Sequence, residues 1–292
     1  MRGQVFILLL LLFYRSLNAQ DTSLLSILKD QNKPVNSNVS ATFKATHIVN
    51  VQTIESPAKG DLNFIIMHRF GKINDGSYNF FGLDNATLRL GFDYGITDRL
   101  AAGIGRSSLE KTFDAYLKYK LLRQTEDNKM PVSVSVLETI SNYTLKFAGK
   151  PYLNAKYRTV YASQLLIARK ITSALSLQLA PALLHFNLVP ATRDKNDVFA
   201  ATIGGRLKFT KHMGITGEYS YLPSGQVNSI SVKNSLSFGW DIETGGHVFQ
   251  LVFSNSQGMT ESQYIPRTMG SWGKGDIYFG FNISRNFTLK KK

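Results

Sequence analysis

The chain contains no cysteine, and this absence excludes several classes of structure and of site. It can form no disulfide framework, no thiolate metal site and no CxxCH haem attachment. Charged residues are scarce at 18%, while hydrophobic residues reach 43%. After residue 19 no stretch offers 18 consecutive apolar residues, so no membrane-spanning helix is expected. If the chain resides in a membrane, the architecture left open is a closed β-barrel.

The N-terminus has the pattern of a secretory signal peptide. Met1 and Arg2 precede an apolar run at residues 5–13, and the polar stretch after it ends in Leu17-Asn18-Ala19. This order predicts residues 1–19 as a signal peptide that is cleaved after Ala19. The apolar run is shorter than the roughly 20 residues of a membrane-spanning helix, which argues against an N-terminal anchor.

Beyond residue 61 the hydrophobicity alternates with a period of two, which is typical of strands in a membrane barrel. In residues 112–121 one face carries Phe113, Leu117 and Tyr119, and the other carries charged residues. Runs of the same kind occur at residues 62–70, 86–94, 100–106, 132–140, 159–171, 175–183, 198–210, 215–221, 236–242, 247–253 and 277–287. The sequence therefore predicts an all-β fold, a closed antiparallel transmembrane β-barrel of about 12 strands.

The connections alternate in length, as outer-membrane barrels alternate short periplasmic turns with longer outer loops. Short turns are expected near residues 95–98, 170–173, 211–213 and 243–246, with long loops between them. An even strand number places both ends of the barrel in the periplasm. Residues 41–49 also alternate weakly, and we interpret them as an inward or periplasmic segment, with a barrel of 14 strands as the alternative.

These boundaries divide the chain into four parts. Residues 1–19 are the signal peptide, residues 20–60 a periplasmic or lumenal segment, residues 61–287 the barrel, and residues 288–292 a basic tail. Within the second part, residues 20–33 carry leucine and isoleucine at helical spacing, which fits a short amphipathic helix or a flexible tether.

The last predicted strand carries a barrel-assembly signal, because its alternate positions are apolar and it closes on an aromatic residue. These positions are Ile277, Phe279, Phe281, Ile283 and Phe287. Arg285 departs from the pattern, although an arginine near the bilayer edge can extend to the headgroups.

Several stretches resemble an outer-membrane β-barrel family of unknown function found in Bacteroidetes-type bacteria. They are His68-Arg69-Phe70-Gly71, Phe81-Gly82-Leu83-Asp84, Tyr94-Gly95-Ile96-Thr97-Asp98-Arg99-Leu100, Ser254-Asn255-Ser256-Gln257-Gly258-Met259-Thr260-Glu261 and Gly275-Asp276-Ile277-Tyr278-Phe279-Gly280-Phe281-Asn282-Ile283-Ser284-Arg285. The resemblance covers nearly all of the chain after residue 19. It implies a barrel in the outer membrane and supplies no substrate and no catalytic residue.

The inward faces of the predicted strands carry charges of both signs. The candidate lumen-lining residues are Arg69, Arg89, Lys118, Lys120, Arg206, Lys208, Asp114 and Glu218. A hydrated pore with a cationic excess would favour anions, so one hypothesis is a passive channel or transporter for small solutes, anions among them. The alternative is a closed structural or partner-docking barrel whose charges form salt bridges. Twelve strands are intermediate between filled and open barrels, so size does not decide.

The sequence offers no catalytic or cofactor motif. The five histidines show no HExxH spacing, and no GxSxG elbow marks a nucleophilic serine. We therefore expect no enzyme, no cofactor and no metal; an exported soluble binder or enzyme is the outside alternative. The expected partners are outer-membrane lipid and the barrel-assembly machinery during insertion, with a periplasmic protein as a further candidate. Nucleic acid is not expected.

Overall fold

The computed structural model describes residues 37–289. Three expectations concern residues outside this range: the signal peptide (1–19), the helical spacing at residues 20–33 and the last three residues of the basic tail (290–292). The strands, turns and inward segments discussed below all lie inside it.

Twelve β-strands follow one another along the chain, and each matches one predicted alternating run. They are β1 (Asp61–Lys72), β2 (Ala86–Gly95), β3 (Leu100–Ser107), β4 (Thr112–Leu122), β5 (Ser133–Tyr143), β6 (Thr159–Lys170), β7 (Leu175–Phe186), β8 (Asp197–Lys208), β9 (Met213–Tyr221), β10 (Ser235–Thr244), β11 (His247–Ser254) and β12 (Tyr278–Thr288).

Every strand pairs antiparallel with the next, and β1 pairs with β12, so the sheet closes into a barrel. The prediction of a closed antiparallel barrel with twelve strands is confirmed. The alternative of fourteen strands is wrong, because residues 41–49 form no barrel strand. In the part of the chain that the structure describes, no helix is both long and apolar enough to cross a membrane.

The two ends of the barrel differ in their connections. At one end, which we call the short-turn end, the strands are joined by residues 96–99, 123–132, 171–174, 209–212 and 245–246. At the other, the long-loop end, the connections are residues 73–85, 108–111, 144–158, 187–196, 222–234 and 255–277. Both β1 and β12 have their outer termini at the short-turn end.

The alternation of each strand separates an apolar exterior from an interior of different composition. On β4, Phe113, Leu117 and Tyr119 point outward and are 50%, 54% and 45% exposed, while Asp114 and Lys118 point inward and are buried. Large apolar side chains are exposed in this way on nearly every strand. Because so large an apolar surface is unfavourable in water, the exterior is suited to lipid.

The interior has two chemically different sides. The inward faces of β5 to β8 are rich in buried aliphatic residues, among them Leu137, Leu166, Leu184 and Val198. The inward faces of the other strands carry most of the buried ionic groups, including Arg69, Arg89, Asp93, Asp114, Lys118, Glu218 and Asp241.

Two segments of the chain fold into this interior. The first, residues 42–55, enters from the short-turn end and is named the N plug. The second, residues 255–268, enters from the long-loop end between β11 and β12 and is named the loop plug; it contains the single-turn helix α1 (Glu261–Tyr264). Most residues of both plugs are buried.

Candidate functional site: a lumen occupied by two plugs

The predicted lumen-lining residues occupy two kinds of position. Six of them are on the inner wall and no more than 8% exposed: Arg69, Arg89, Asp114, Lys118, Arg206 and Glu218. Lys120 and Lys208 are only partly buried, close to the short-turn end of their strands. The wall side chains are buried because the plugs fill the space between them.

The tip of the N plug is attached to one wall carboxylate. The chain reverses at residues 48–51, where the Ile48 amide donates to the Val51 carbonyl oxygen at 2.9 Å. The other three amides of this tip all point to Glu218. Val49, Asn50 and Val51 donate to its Oε atoms at 3.1, 2.9 and 3.0 Å respectively. Successive amides that converge in this way form an anion-binding concavity, here occupied by a side chain of the wall.

Wall amides satisfy the remaining backbone groups of the N plug. Gln178 accepts from the Ile54 amide at 2.9 Å and donates to the Gln52 carbonyl oxygen at 2.7 Å. Gln250 and Asn282 donate to the carbonyl oxygens of Ile48 and Val49 at 2.6 and 2.9 Å. A buried backbone group without a hydrogen-bond partner is costly. These side chains supply the partners that a neighbouring β-strand would otherwise supply to the backbone of the plug.

Two basic wall residues also hold the N plug. Arg69 Nη2 donates to the Asn50 side-chain oxygen at 2.9 Å. Lys118 Nζ donates to the carbonyl oxygens of Thr53 and Glu55 at 3.0 and 2.7 Å. Both cations therefore bind carbonyl and amide oxygens of the plug and not a wall carboxylate.

The other two arginines are paired within the wall. Arg89 Nε donates to Asp114 Oδ1 at 3.0 Å, and its Nη2 contacts the second oxygen. Arg206 Nε donates to Asp241 Oδ2 at 3.0 Å, and its Nη2 contacts Glu243. The interior thus contains both salt bridges and cations that are directed to the plug.

The N plug also has an apolar contact with the wall. Ile48 lies against Gly204 of β8, where an added Cβ would come within 2.7 Å of Ile48 Cδ1. Ile48, Val49, Val51 and Ile54 join one apolar cluster with aliphatic residues of β5 to β8. The absence of a side chain at position 204 therefore creates the space for the plug.

The loop plug reaches the same cluster from the opposite end, because Tyr264 and Ile265 belong to it. Gln263 fixes α1 to the wall by donating to Leu109 O at 3.2 Å and to Thr112 Oγ1 at 3.1 Å. Ser262 and Ser141 are hydrogen-bonded at 3.0 Å. The two plugs thus share an apolar core in the lumen and are tied to the wall by polar contacts.

A cavity of about 440 Å³ lies above the loop plug at the long-loop end. Its floor includes Pro266 and Arg267, and its walls come from the loops at residues 144–158, 187–196 and 222–234. Within residues 37–289 no three His, Asp or Glu side chains are grouped in a way that could hold a metal ion.

Sequence reasoning missed the amide side chains and the loop plug. Gln178, Gln250 and Asn282 stand at inward positions of strands whose exterior positions are apolar, so strand alternation is the signal that could have placed them inside. Nothing in the sequence indicated that they would bind backbone from residues more than 100 positions away.

The fold and this interior define a membrane-type β-barrel whose lumen is filled by its own chain. Residues 43–287 match the family described as Membrane bound beta barrel domain (DUF5777), and the chain belongs to this family of unknown function. The match begins within the N plug, so the plug is part of the family's domain. No curated protein matches the chain.

Among solved structures, the chain is similar in fold to several barrels at low sequence identity. The NanC porin has 9% identity and a TM-score of 0.48, covering 77% of this chain and 98% of the porin. The KdgM porin has 10% identity and a TM-score of 0.47, covering 77% and 99%. An outer membrane channel from Pseudomonas putida F1 has 13% identity and a TM-score of 0.45, covering 80% and 97%.

Proposed function

We propose that this protein is an outer-membrane channel for small solutes, anions included, and that the described conformation is its closed state. The observation that carries the proposal is the attachment of the N plug. Its tip is held to the wall by hydrogen bonds from and to side chains, and by no strand pairing with the barrel. A hydrogen bond of this kind differs little in free energy from the hydrogen bonds that the same two groups form with water. The plug can therefore exchange its wall partners for water.

The interior supports this proposal. A barrel that serves only as a scaffold needs no charged groups inside, because buried ionic groups are costly unless they are paired. Here Arg69 and Lys118 bind plug oxygens and not wall carboxylates. When the N plug leaves, these groups become the lining of a hydrated path.

The membrane and the orientation are also part of the proposal. The signal-peptide pattern, the apolar exterior and the alternation of short and long connections support insertion in an outer membrane, with the short-turn end in the periplasm. The partners that follow are outer-membrane lipid and the barrel-assembly machinery, with residues 277–287 as the assembly signal. We expect heat-modifiable migration in gels and recovery with the outer-membrane fraction.

A closed docking barrel is the second candidate, and the filled lumen favours it. In that case the plugs are permanent parts of a folded core, and a periplasmic or surface protein binds one of the ends. This candidate predicts that removal of the N plug destabilises the barrel without creating a conductance.

Planar-bilayer recordings separate the two candidates. We expect the protein lacking residues 42–55 to conduct ions continuously and the full chain to conduct only in brief openings. Gly204→Leu should act in the same direction, because a side chain there takes the place of Ile48. Gly217→Leu is the matched control. A Cβ at position 217 would lie 3.4 Å from the Phe238 ring and 3.9 Å from one backbone oxygen, which are ordinary contact distances. A folded barrel that lacks both residues 42–55 and residues 255–268 of the loop plug and shows no conductance contradicts the channel.

A further inference from the structure

The cavity at the long-loop end has the size and lining of a small-molecule site. Its volume of about 440 Å³ lies within the range of roughly 300–1,000 Å³ that is usual for ligand pockets. Most of its lining is apolar, with Tyr143, Phe147, Tyr152 and Phe186 among the aromatic residues. Three cationic side chains, Lys150, Lys195 and Arg267, line the same space.

The walls of the cavity are fixed by hydrogen bonds between loops. Asp194 Oδ1 accepts from the amides of Asn228 and Ser229 at 2.6 and 2.8 Å, which joins the β7–β8 loop to the β9–β10 loop. Burial acts to raise the pKa of Asp194, but the hydrogen bonds from Ser229 and Asn228 outweigh it and hold the pKa below its usual value. The carboxylate is therefore ionised at neutral pH, and the hydrogen bonds that join the two loops persist. On the opposite wall, Arg158 donates to the carbonyl oxygens of Leu153 and Leu145 at 2.7 and 2.8 Å.

Arg267 connects this cavity to the loop plug. Its Nη1 lies 2.5 Å from Glu110 Oε2, and both side chains are partly open to solvent, at 28% and 30% exposure. Its guanidinium lies 5.8 Å from the ring centre of Tyr143 and 6.0 Å from that of Phe186. A ligand that contacts Arg267 therefore contacts aromatic surface as well.

The charges of the cavity are unbalanced in favour of cations. Glu110 is engaged by Arg267 and Asp194 by loop amides, so Lys150 and Lys195 are the exposed charges without a carboxylate contact among the described residues. An anion is the complement of this arrangement. The apolar walls oppose a ligand with many hydroxyl groups, because each hydroxyl would lose water without gaining a partner.

We infer that this cavity binds a small carboxylate with an apolar, ring-sized body, whose carboxylate contacts Arg267 and a lysine and whose body lies on the aromatic wall. The inference deepens the proposed function by naming a ligand class, and it rests on that function only for the role of the ligand as solute. Because the Arg267–Glu110 pair is partly solvated, a ligand carboxylate can replace Glu110 as the partner of Arg267.

The test uses 2-naphthoate, followed by its fluorescence, with the full-length protein in lipid nanodiscs and empty nanodiscs to subtract partitioning. We expect saturable binding of 2-naphthoate. The neutral 2-naphthalenemethanol and the hydroxyl-rich glucuronate should each bind at least about tenfold more weakly, since one lacks the charged contacts and the other the apolar body.

Variants locate the site. Arg267→Gln should weaken 2-naphthoate binding at least about tenfold, as expected for loss of a charged hydrogen-bond partner. Arg193→Gln is the matched control, because Arg193 is an exposed cation of the β7–β8 loop that does not itself line the cavity. Equal binding of the acid and the alcohol, or equal losses in the two variants, overturns the inference. The binding assay measures no current, so 2-naphthoate can bind to the cavity even if the protein proves not to be a channel. Conversely, the plug-deletion recordings can show a channel even if 2-naphthoate does not bind.

Discussion

Glu218 concentrates the attachment of the N plug in a single side chain. Its carboxylate accepts hydrogen bonds from the amides of Val49, Asn50 and Val51, so one substitution leaves three buried donors without an acceptor. A buried donor that loses its partner costs about 1–3 kcal/mol. Since the apolar contacts of the tip remain, the expected result is a plug that leaves more often and a barrel that stays folded.

We therefore predict that Glu218→Ala exposes the tip of the N plug. The chain has no native cysteine, so the single thiol of V51C can be labelled with maleimide as a direct measure of exposure. Val51 is 0% exposed, and labelling should be slow in an otherwise unchanged barrel. In the Glu218→Ala background we expect labelling to be at least about tenfold faster, because three amides have lost their acceptor.

Glu126→Ala is the matched control, because Glu126 is an exposed carboxylate in the connection at residues 123–132. Equal labelling rates in the two backgrounds would mean that Glu218 does not hold the plug. Loss of the migration difference between heated and unheated samples would instead show that the barrel itself had unfolded.

At the scale of an element, the loop plug has its own titratable group. Glu261 is 6% exposed, at the first position of α1. Burial, followed by the nearby charge of Asp114, raises the pKa of Glu261 to about 7, against the lowering effect of Arg89 and Lys118. In water the same carboxyl has a pKa of 4.5. The seated loop plug therefore binds a proton more tightly than the released one.

This difference predicts a pH dependence of the loop plug. A raised carboxyl pKa means that seating is fully favoured below about pH 4.5, weakens as the pH rises, and is constant again above about pH 7. We expect the thiol of M259C, on the loop plug, to become at least about tenfold more accessible between pH 5 and pH 8. Rates are normalised to an exposed thiol from K129C to remove the titration of the thiol itself.

Glu261→Gln should abolish this dependence, because glutamine has no proton to lose. An unchanged pH profile in this variant would assign the dependence to another group. If the M259C thiol, with Glu261 unchanged, were instead labelled faster at acidic pH, the result would contradict the burial of Glu261.

The elements differ in how well the sequence predicts them. The strands were predictable because each one has lipid on one side, which forces an apolar residue at every second position, as in β4 with Phe113, Leu117 and Tyr119. The plugs face no lipid. Their residues are selected for contacts with particular wall side chains, such as Glu218, 168 positions from Asn50. A local hydrophobicity pattern does not indicate contacts between residues so far apart in the sequence. The loop plug is therefore indistinguishable in sequence from an exposed loop.

At the scale of the whole molecule, the cationic excess is not located where the alternation of the strands suggests. On the inner wall the buried cations Arg69, Arg89, Lys118 and Arg206 are matched in number by the buried acids Asp93, Asp114, Glu218 and Asp241. Part of the excess lies at the mouths. At the short-turn end, Lys44, Lys170 and Lys208 line one small cavity together with Arg206 and Glu243.

We therefore predict that anion preference resides in the mouths and not in the middle of the path. In bilayers that separate two concentrations of KCl, the double variant Lys170→Gln/Lys208→Gln, made in the chain lacking residues 42–55, should shift the reversal potential toward that of potassium. Rings of lysine favour anions by concentrating them at the entrance, and neutral amides do not. Lys129→Gln/Lys211→Gln removes two exposed lysines at the short-turn end, outside that cavity, and should leave the potential unchanged. Equal shifts in the two variants would indicate a diffuse effect of the net positive charge of the chain and not a local filter.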